Sequence, residues 1–149
     1  MDCTVKVKKL DPRATLPCRA TPGSAAADLC ALCPPQGLLL PAGGRALVPT
    51  GLAIELPGPE FVALVFARSG LAVKKGITLS NAVGVVDSDY RGELRVGLVN
   101  LSGEDYLIQD GERIAQLAIL PVAAAAFVEA ETLGETQRGA GGFGSTGRL

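Results

Sequence analysis

The 149-residue sequence contains no histidine, no tryptophan and one methionine, and only 4% of its residues are aromatic. The missing histidines remove Ser-His-Asp and Cys-His nucleophiles, histidine general bases and the usual histidine zinc sites. Acid or base chemistry must then fall to carboxylates, Lys, Tyr or Cys. An excess of one charge is missing too: 14 Lys and Arg stand against 15 Asp and Glu, a formal net charge of −1. That balance argues against a broad surface for duplex nucleic acid, but it permits a local basic pocket for a small anion such as a nucleotide. No apolar run approaches the roughly 18 residues of a membrane helix; the richest is PVAAAAFV from Pro121. The opening MDCTVKVKKL alternates apolar and charged residues and lacks the apolar core of a secretory signal, so the expected location is the cytoplasm.

The chain does have length enough for one domain with a sizeable core, and 48% of it is apolar. Its 19 glycines and 10 prolines are spread along it, so turns come often and long helices find little room. Val5 and Val7 alternate with Lys6 and Lys8, the period-2 pattern of a strand with one wet face. Further strands are expected at Gly37 to Leu40, Gly44 to Val48, Leu52 to Leu56 and Phe61 to Ala67. Leu94, Val96 and Leu98 alternate as well, and Arg113 to Leu120 follows the turn pair Asp110-Gly111. These short runs predict an all-β subunit, a sandwich, barrel or jelly roll. One short helix fits, Ser69 to Lys75, with Ser69 as N-cap. A rival reading makes Ala123 to Glu131 helical as well, since Ala is the best helix former, and pattern alone does not decide it. The four cysteines, Cys3, Cys18, Cys30 and Cys33, lie in the first quarter and read as reduced thiols; the lone Cys30-x-x-Cys33 pair lacks the partners of a zinc or thioredoxin-like site.

From Thr132 the composition turns polar and glycine-rich, TLGETQRGAGGFGSTGRL, so the expected organisation is a β domain over 1–131 and a flexible arm over 132–149. The arm carries a literal GxGxxG from Gly139 to Gly144, but the chain ends five residues later, with no room for the helix and acidic residue of a dinucleotide fold. Ser145 stands where a phosphate-binding loop needs Lys. What survives is the underlying physics: glycine-rich backbone lets N–H groups close on phosphate oxygens, Arg138, Ser145 and Thr146 add donors, and Phe143 offers a stacking face. Alone, the segment reads more readily as a disordered tail with one stray Phe.

Four other stretches carry chemistry. NAVGVVDSDYRGEL, Asn81 to Leu94, runs an apolar hairpin arm around Gly84 into Asp87, a carboxylate that the apolar strand would partly desolvate and hold rigid, as a general base requires. The plain alternative makes Asp87 and Asp89 turn residues. FARSGLA delivers Arg68, Ser69 and Gly70 at the mouth of the short helix, a place that favours an anion or simply turns the chain. In GERIAQLAI, Gln116 interrupts an apolar strand, and a buried amide must find a partner in the fold or a ligand. SAAADL places Asp28 among small residues.

In this order, from about Ser24 to Gly147, the five stretches resemble the five motifs of trimeric dUTP pyrophosphatases, and DSDYRGE and RGAGGFGSTG are the most specific. The resemblance implies a jelly-roll or β-clip subunit and a homotrimer with sites shared between subunits. It also implies Mg²⁺-dependent hydrolysis of dUTP to dUMP and pyrophosphate. Asp87 then activates the water that attacks the α-phosphorus, and Tyr90 packs on the deoxyribose where a 2′-hydroxyl would clash. Asn81 and the backbone at Val85 and Val86 read the uracil edge. Arg68, Ser69, Gly70 and Gln116 hold phosphates, and Arg138, Phe143, Gly144, Ser145 and Thr146 form the closing arm with Phe143 over the base. Asp28 acts on the metal's water shell or on neighbouring polar residues, and no residue ligates the metal directly. The sequence departs from the family pattern at Ala26 and Ala27, where Gly-Tyr or a similar pair is common, and at Ala67, where Pro is frequent.

Two other functions compete. The related dCTP deaminases use a catalytic Glu on the strand lining the base pocket, where this chain has Asp87, and usually a second Ser where Gly70 follows Ser69. A nucleotide-binding protein without turnover would keep the pocket but has no need of Asp87.

Overall fold

The computed structural model describes residues 3–142. Among them lie eleven strands and one helix: β1 (Lys6–Lys9), β2 (Ala27–Cys30), β3 (Leu38–Leu40), β4 (Arg45–Pro49), β5 (Leu52–Glu55), β6 (Phe61–Ala67), α1 (Ser69–Lys75), β7 (Ile77–Leu79), β8 (Gly84–Val86), β9 (Arg95–Asn100), β10 (Tyr106–Ile108) and β11 (Arg113–Pro121). The four-stranded sheet runs β2-β11-β6-β8 and a three-stranded sheet runs β4-β9-β7, with two ribbons, β1-β5 and β10-β3. Every pairing is antiparallel. This is the expected jelly-roll class with its one short helix.

Burial explains the strands. In β9 the side chains of Val96, Leu98 and Asn100 are buried and those between them are not, the alternation that a sheet with one inward face imposes. β5 is buried at three consecutive positions, Leu52, Ala53 and Ile54, because both of its faces are covered. Leu29, Leu40, Leu52, Ile77, Leu98 and Ile108 fill the centre of the core. Buried polar groups are satisfied there: Asn100 Nδ2 donates to the carbonyls of Leu40 and Glu104 at 3.1 and 2.8 Å, and its Oδ1 accepts from Ser102 N and Oγ. Asn100 thereby fixes the turn between β9 and β10.

Four expectations need correction or completion. Arg68, not Ser69, is the N-cap of α1, with extended backbone and no side-chain cap bond; Ser69 is already helical. The other end does follow the rules: Gly76 at φ 69 caps the helix through its N–H to Ala72 and Leu71, with Lys74 and Lys75 in the last turn. Residues 123–131 contain neither helix nor strand and are exposed, since alanine propensity cannot sustain so short a helix without a packed face. The hairpin arm expected around Gly84 is β8, which pairs with β6 while β7 pairs with β9, so the chain changes sheets between them. Finally β2, β7 and β10, of three or four residues each, had no pattern long enough to be read as strands in advance.

Candidate active site

The chain segment that changes sheets shapes a cavity of about 340 Å³, lined by Asn81, Gly84, Val85, Val86, Asp87 and Tyr90 together with Glu93, Arg95 and Gly97. Its entrance is a tight turn in which Val83 N–H donates to Asn81 C=O at 2.7 Å and Ala82 takes φ 62, a conformation its β-carbon disfavours. Gly84 lies so close to Val65 that a β-carbon there would stand 3.1 Å from Val65 Cβ, and a β-carbon at Gly97 would meet Ser80 Oγ at 2.7 Å. Glycine at both positions lets the walls approach.

Asp87 follows β8 directly, as expected, but it is exposed rather than desolvated, because β8 is the edge strand of its sheet. Val85 is 64% exposed for the same reason. Tyr90 donates its hydroxyl to the Glu93 carbonyl at 3.0 Å, and its ring lies over Gly92, where a β-carbon would collide with it. Glu93 ties this segment down: Oε1 accepts from Gly51 N–H at 2.9 Å and Oε2 from Arg95 Nε at 2.7 Å. Glu93 thus holds the Tyr90 segment in place, a contact that the spacing of DSDYRGEL does not announce.

A second cluster gathers around Asp28 on β2. Its carboxylate is buried and accepts from Arg68 Nε at 3.0 Å, Arg113 Nη1 at 3.1 Å and Gln116 Nε2 at 3.4 Å. Asp28 and Gln116 are direct cross-strand partners, which places their side chains on one face of the sheet. Arg68 stands one residue past the end of β6 and also donates to the Arg113 carbonyl at 3.1 Å. Gln116 is half-buried and finds its partner inside the fold. Ser69 and Gly70 are exposed beside this cluster, and a β-carbon on Gly70 would meet no atom within 4 Å. The fold therefore does not demand glycine there. Arg113 was missed in advance, since nothing in a charged residue opening an apolar strand says which way it points.

Arg138 lies in an exposed turn of its own, with Nε donating to Gly141 C=O at 2.8 Å. Phe143, Gly144, Ser145 and Thr146 lie outside the described residues.

The two clusters do not meet in one chain. Val86, beside Asp87, pairs with Ala63, whereas Arg68 leaves the other end of β6. Five residues of extended strand, roughly 17 Å, separate those levels. The chain thus carries a cavity with a carboxylate at its rim and, at a distance, a guanidinium pair around a buried carboxylate.

A family model for dUTPase matches residues 12–147. The chain belongs to the dUTPase family. It is 51% identical over 148 residues to a deoxyuridine 5'-triphosphate nucleotidohydrolase of Desulfitobacterium hafniense, covering 97% of both proteins. A protein of the same name from Aeromonas hydrophila is 47% identical over 152 residues, with 99% of each covered. Among solved structures, the G164S mutant of the Staphylococcus bacteriophage 80alpha dUTPase with dUpNHpp superposes with a TM-score of 0.87 at 26% identity, over 97% of this chain and 98% of that one.

Proposed function

We propose that this dUTPase-family chain hydrolyses dUTP to dUMP and pyrophosphate, with Asp87 activating the water that attacks the α-phosphorus. The observation that carries the reading is the β8 cavity, which brings Asn81, the backbone of Val85 and Val86, Asp87 and Tyr90 to one wall. A cavity of about 340 Å³ suits a nucleoside, not a polymer. The amide of Asn81 and the backbone beside it supply the uracil-reading donors and acceptors. Tyr90, pinned through Glu93, presents its ring to the deoxyribose, and a 2′-hydroxyl would strike it. Asp87 at the rim takes a proton from water as the oxygen attacks phosphorus. Arg68, Ser69, Gly70 and Gln116 receive the phosphates and stabilise their charge, which is most of what phosphoanhydride hydrolysis asks of a protein.

A homotrimer reconciles the two separated clusters. The phosphates of dUTP extend only a few ångströms beyond the α-phosphorus, far less than the span of β6, so the Asp87 of one chain works with the Arg68 of another. Exposed apolar side chains such as Leu47, Val85, Phe127 and Val128 supply surface for such contacts. The segment over 132–149 then closes the site, with Arg138, Gly144, Ser145 and Thr146 on phosphates and Phe143 over the base. Mg²⁺, when bound, offsets charge on the triphosphate. The donor set fits a cation carried by substrate phosphates and water, because the Asp28 carboxylate is already held by two guanidiniums. In a cytoplasmic setting the reaction would limit uracil in DNA and supply dUMP for thymidylate synthesis; among the described residues no helix is long and apolar enough to cross a membrane.

The test is pyrophosphate release with Mg²⁺ from dUTP, dCTP, dTTP and UTP in parallel, with each nucleoside product identified. Release from dUTP alone, giving dUMP, is expected. Binding of dUTP without release would leave a nucleotide-binding protein, and dUTP or dUMP formed from dCTP would point to deamination.

A further inference from the structure

β11 meets β2 with a break in register. Arg113 pairs with Cys30 and Gln116 with Asp28, yet Ala115 pairs with Leu29, so one extra residue is accommodated between Arg113 and Ala115. In a regular strand Arg113 and Gln116, three apart, would point to opposite faces. The bulge puts both on the face of Asp28, while Ile114 and Ala115 are buried in succession. Bulges of this kind re-aim a side chain, and this one aims a guanidinium at a carboxylate. The two oxygens of Asp28 are divided: Oδ1 holds Arg68 and Oδ2 holds Arg113. The Arg113 side chain remains 54% exposed, whereas that of Arg68 is 25% exposed and also bonded to the Arg113 carbonyl.

We propose that Arg113 is a positioning residue for the phosphate end of the site. By occupying Oδ2 it fixes the plane of the Asp28 carboxylate, and that plane sets the direction from which Arg68 faces the phosphates. Two guanidiniums around one carboxylate also leave the cluster with a surplus positive charge, which favours a polyanion over the product monophosphate. The proposal rests on the dUTP reading of the site and adds to it a residue that acts through Asp28 and Arg68.

The experiment compares the full-length chain with Arg113→Ala and Arg113→Lys, measuring kcat and KM for dUTP, inhibition by dUMP, and Tm. Arg113→Ala is expected to raise KM about tenfold, the scale of one charge-assisted hydrogen bond, with kcat within about twofold and dUMP inhibition unchanged. Arg113→Lys should recover part of the loss if its ammonium reaches Oδ2. In an Asp28→Asn background the Arg113→Ala change should add little, because its route to Arg68 is already broken. Equal losses for dUTP and dUMP, or an unchanged KM in Arg113→Ala with wild-type turnover intact, would overturn the positioning role alone. If Arg113→Ala fails to fold, a KM for dUTP raised severalfold in folded Arg113→Lys with dUMP inhibition unchanged supports the role, and a wild-type KM, or a rise matched for dUMP, overturns it. A wild-type chain that neither binds nor hydrolyses dUTP would overturn the functional reading and this role with it.

Discussion

Asp87 and Arg68 are held by the same strand ladder yet lie at opposite ends of it: Asp87 follows β8 where Val86 meets Ala63, and Arg68 follows Ala67 at the far end of β6. In the proposed site, the two that serve one substrate come from different chains. Mixing Asp87→Asn chains with Arg68→Gln chains, each inactive alone, should therefore restore activity through sites that take an intact Asp87 from one chain and an intact Arg68 from another. Random assortment sets a ceiling of about one quarter of wild-type turnover. A mixture no more active than its components, after exchange of subunits is verified by mass, would put both residues in one chain's site.

Asp87→Asn alone separates chemistry from binding. The amide keeps the shape of the carboxylate but cannot take the proton from water, so kcat should fall by about a thousandfold or more while affinity for dUpNHpp stays within about threefold. Single-turnover kinetics beside calorimetric titration measure both. Undiminished kcat removes Asp87 from the mechanism.

Gly70 offers a test in which stability and function should part. A β-carbon there meets nothing in the chain, and Gly70 lies in the first turn of α1, so Gly70→Ala should leave Tm unchanged or slightly raised. The same methyl group would stand where phosphates approach, and KM for dUTP should rise about tenfold. An unchanged KM would mean that the phosphates do not pass close to this backbone.

Truncation after Gln137 removes the segment assigned to closure while sparing β11, which ends at Pro121. Turnover should drop severely with Tm preserved, because residues 122–142 make no helix or strand with the core. Wild-type kinetics in the truncated chain would refute the closing role of Arg138 and Phe143.

Tyr106 carries a pH prediction. Burial, and then its hydrogen bond to Glu112, push its phenol up to about 12 from an ordinary 10.0. The folded state thus holds this proton more tightly than the unfolded chain does. The associated stability is complete below pH 10 and is lost as pH rises toward 12. Tyr106→Phe should cost about 1 kcal/mol at pH 8, and the gap from wild type should narrow through that alkaline window. Urea midpoints at pH 8, 10 and 11 read this directly; a constant gap would assign the cost to packing.

Much of the fold was legible where one residue pattern ran long enough. Phe61–Ala67 and Ser69–Lys75 are legible in the sequence, the first as a continuous apolar run, the second as the one short helix that fits between turns. β2, by contrast, is four residues with its Asp28 buried, and its strand state depends on β11, more than eighty residues away. Ser69 was chosen as cap on residue type, but the cap is decided by where the extended backbone ends, and that is Arg68.

By itself the sequence determined which chemistry was available and where it lay along the chain: no histidine, a carboxylate after an apolar run, an Arg-Ser-Gly turn, and an amide within a strand. Those are matters of residue type and local period, which need no partner to be read. Only the tertiary structure decided that Arg113 turns onto Asp28, that Tyr90 is pinned through Glu93, and that Asp87 and Arg68 stand a strand's length apart. The first and the last follow from register between segments distant in the chain, and a one-residue shift of register reverses the face on which a side chain appears; the second needs Gly51, far back in the chain, to hold the Glu93 carboxylate.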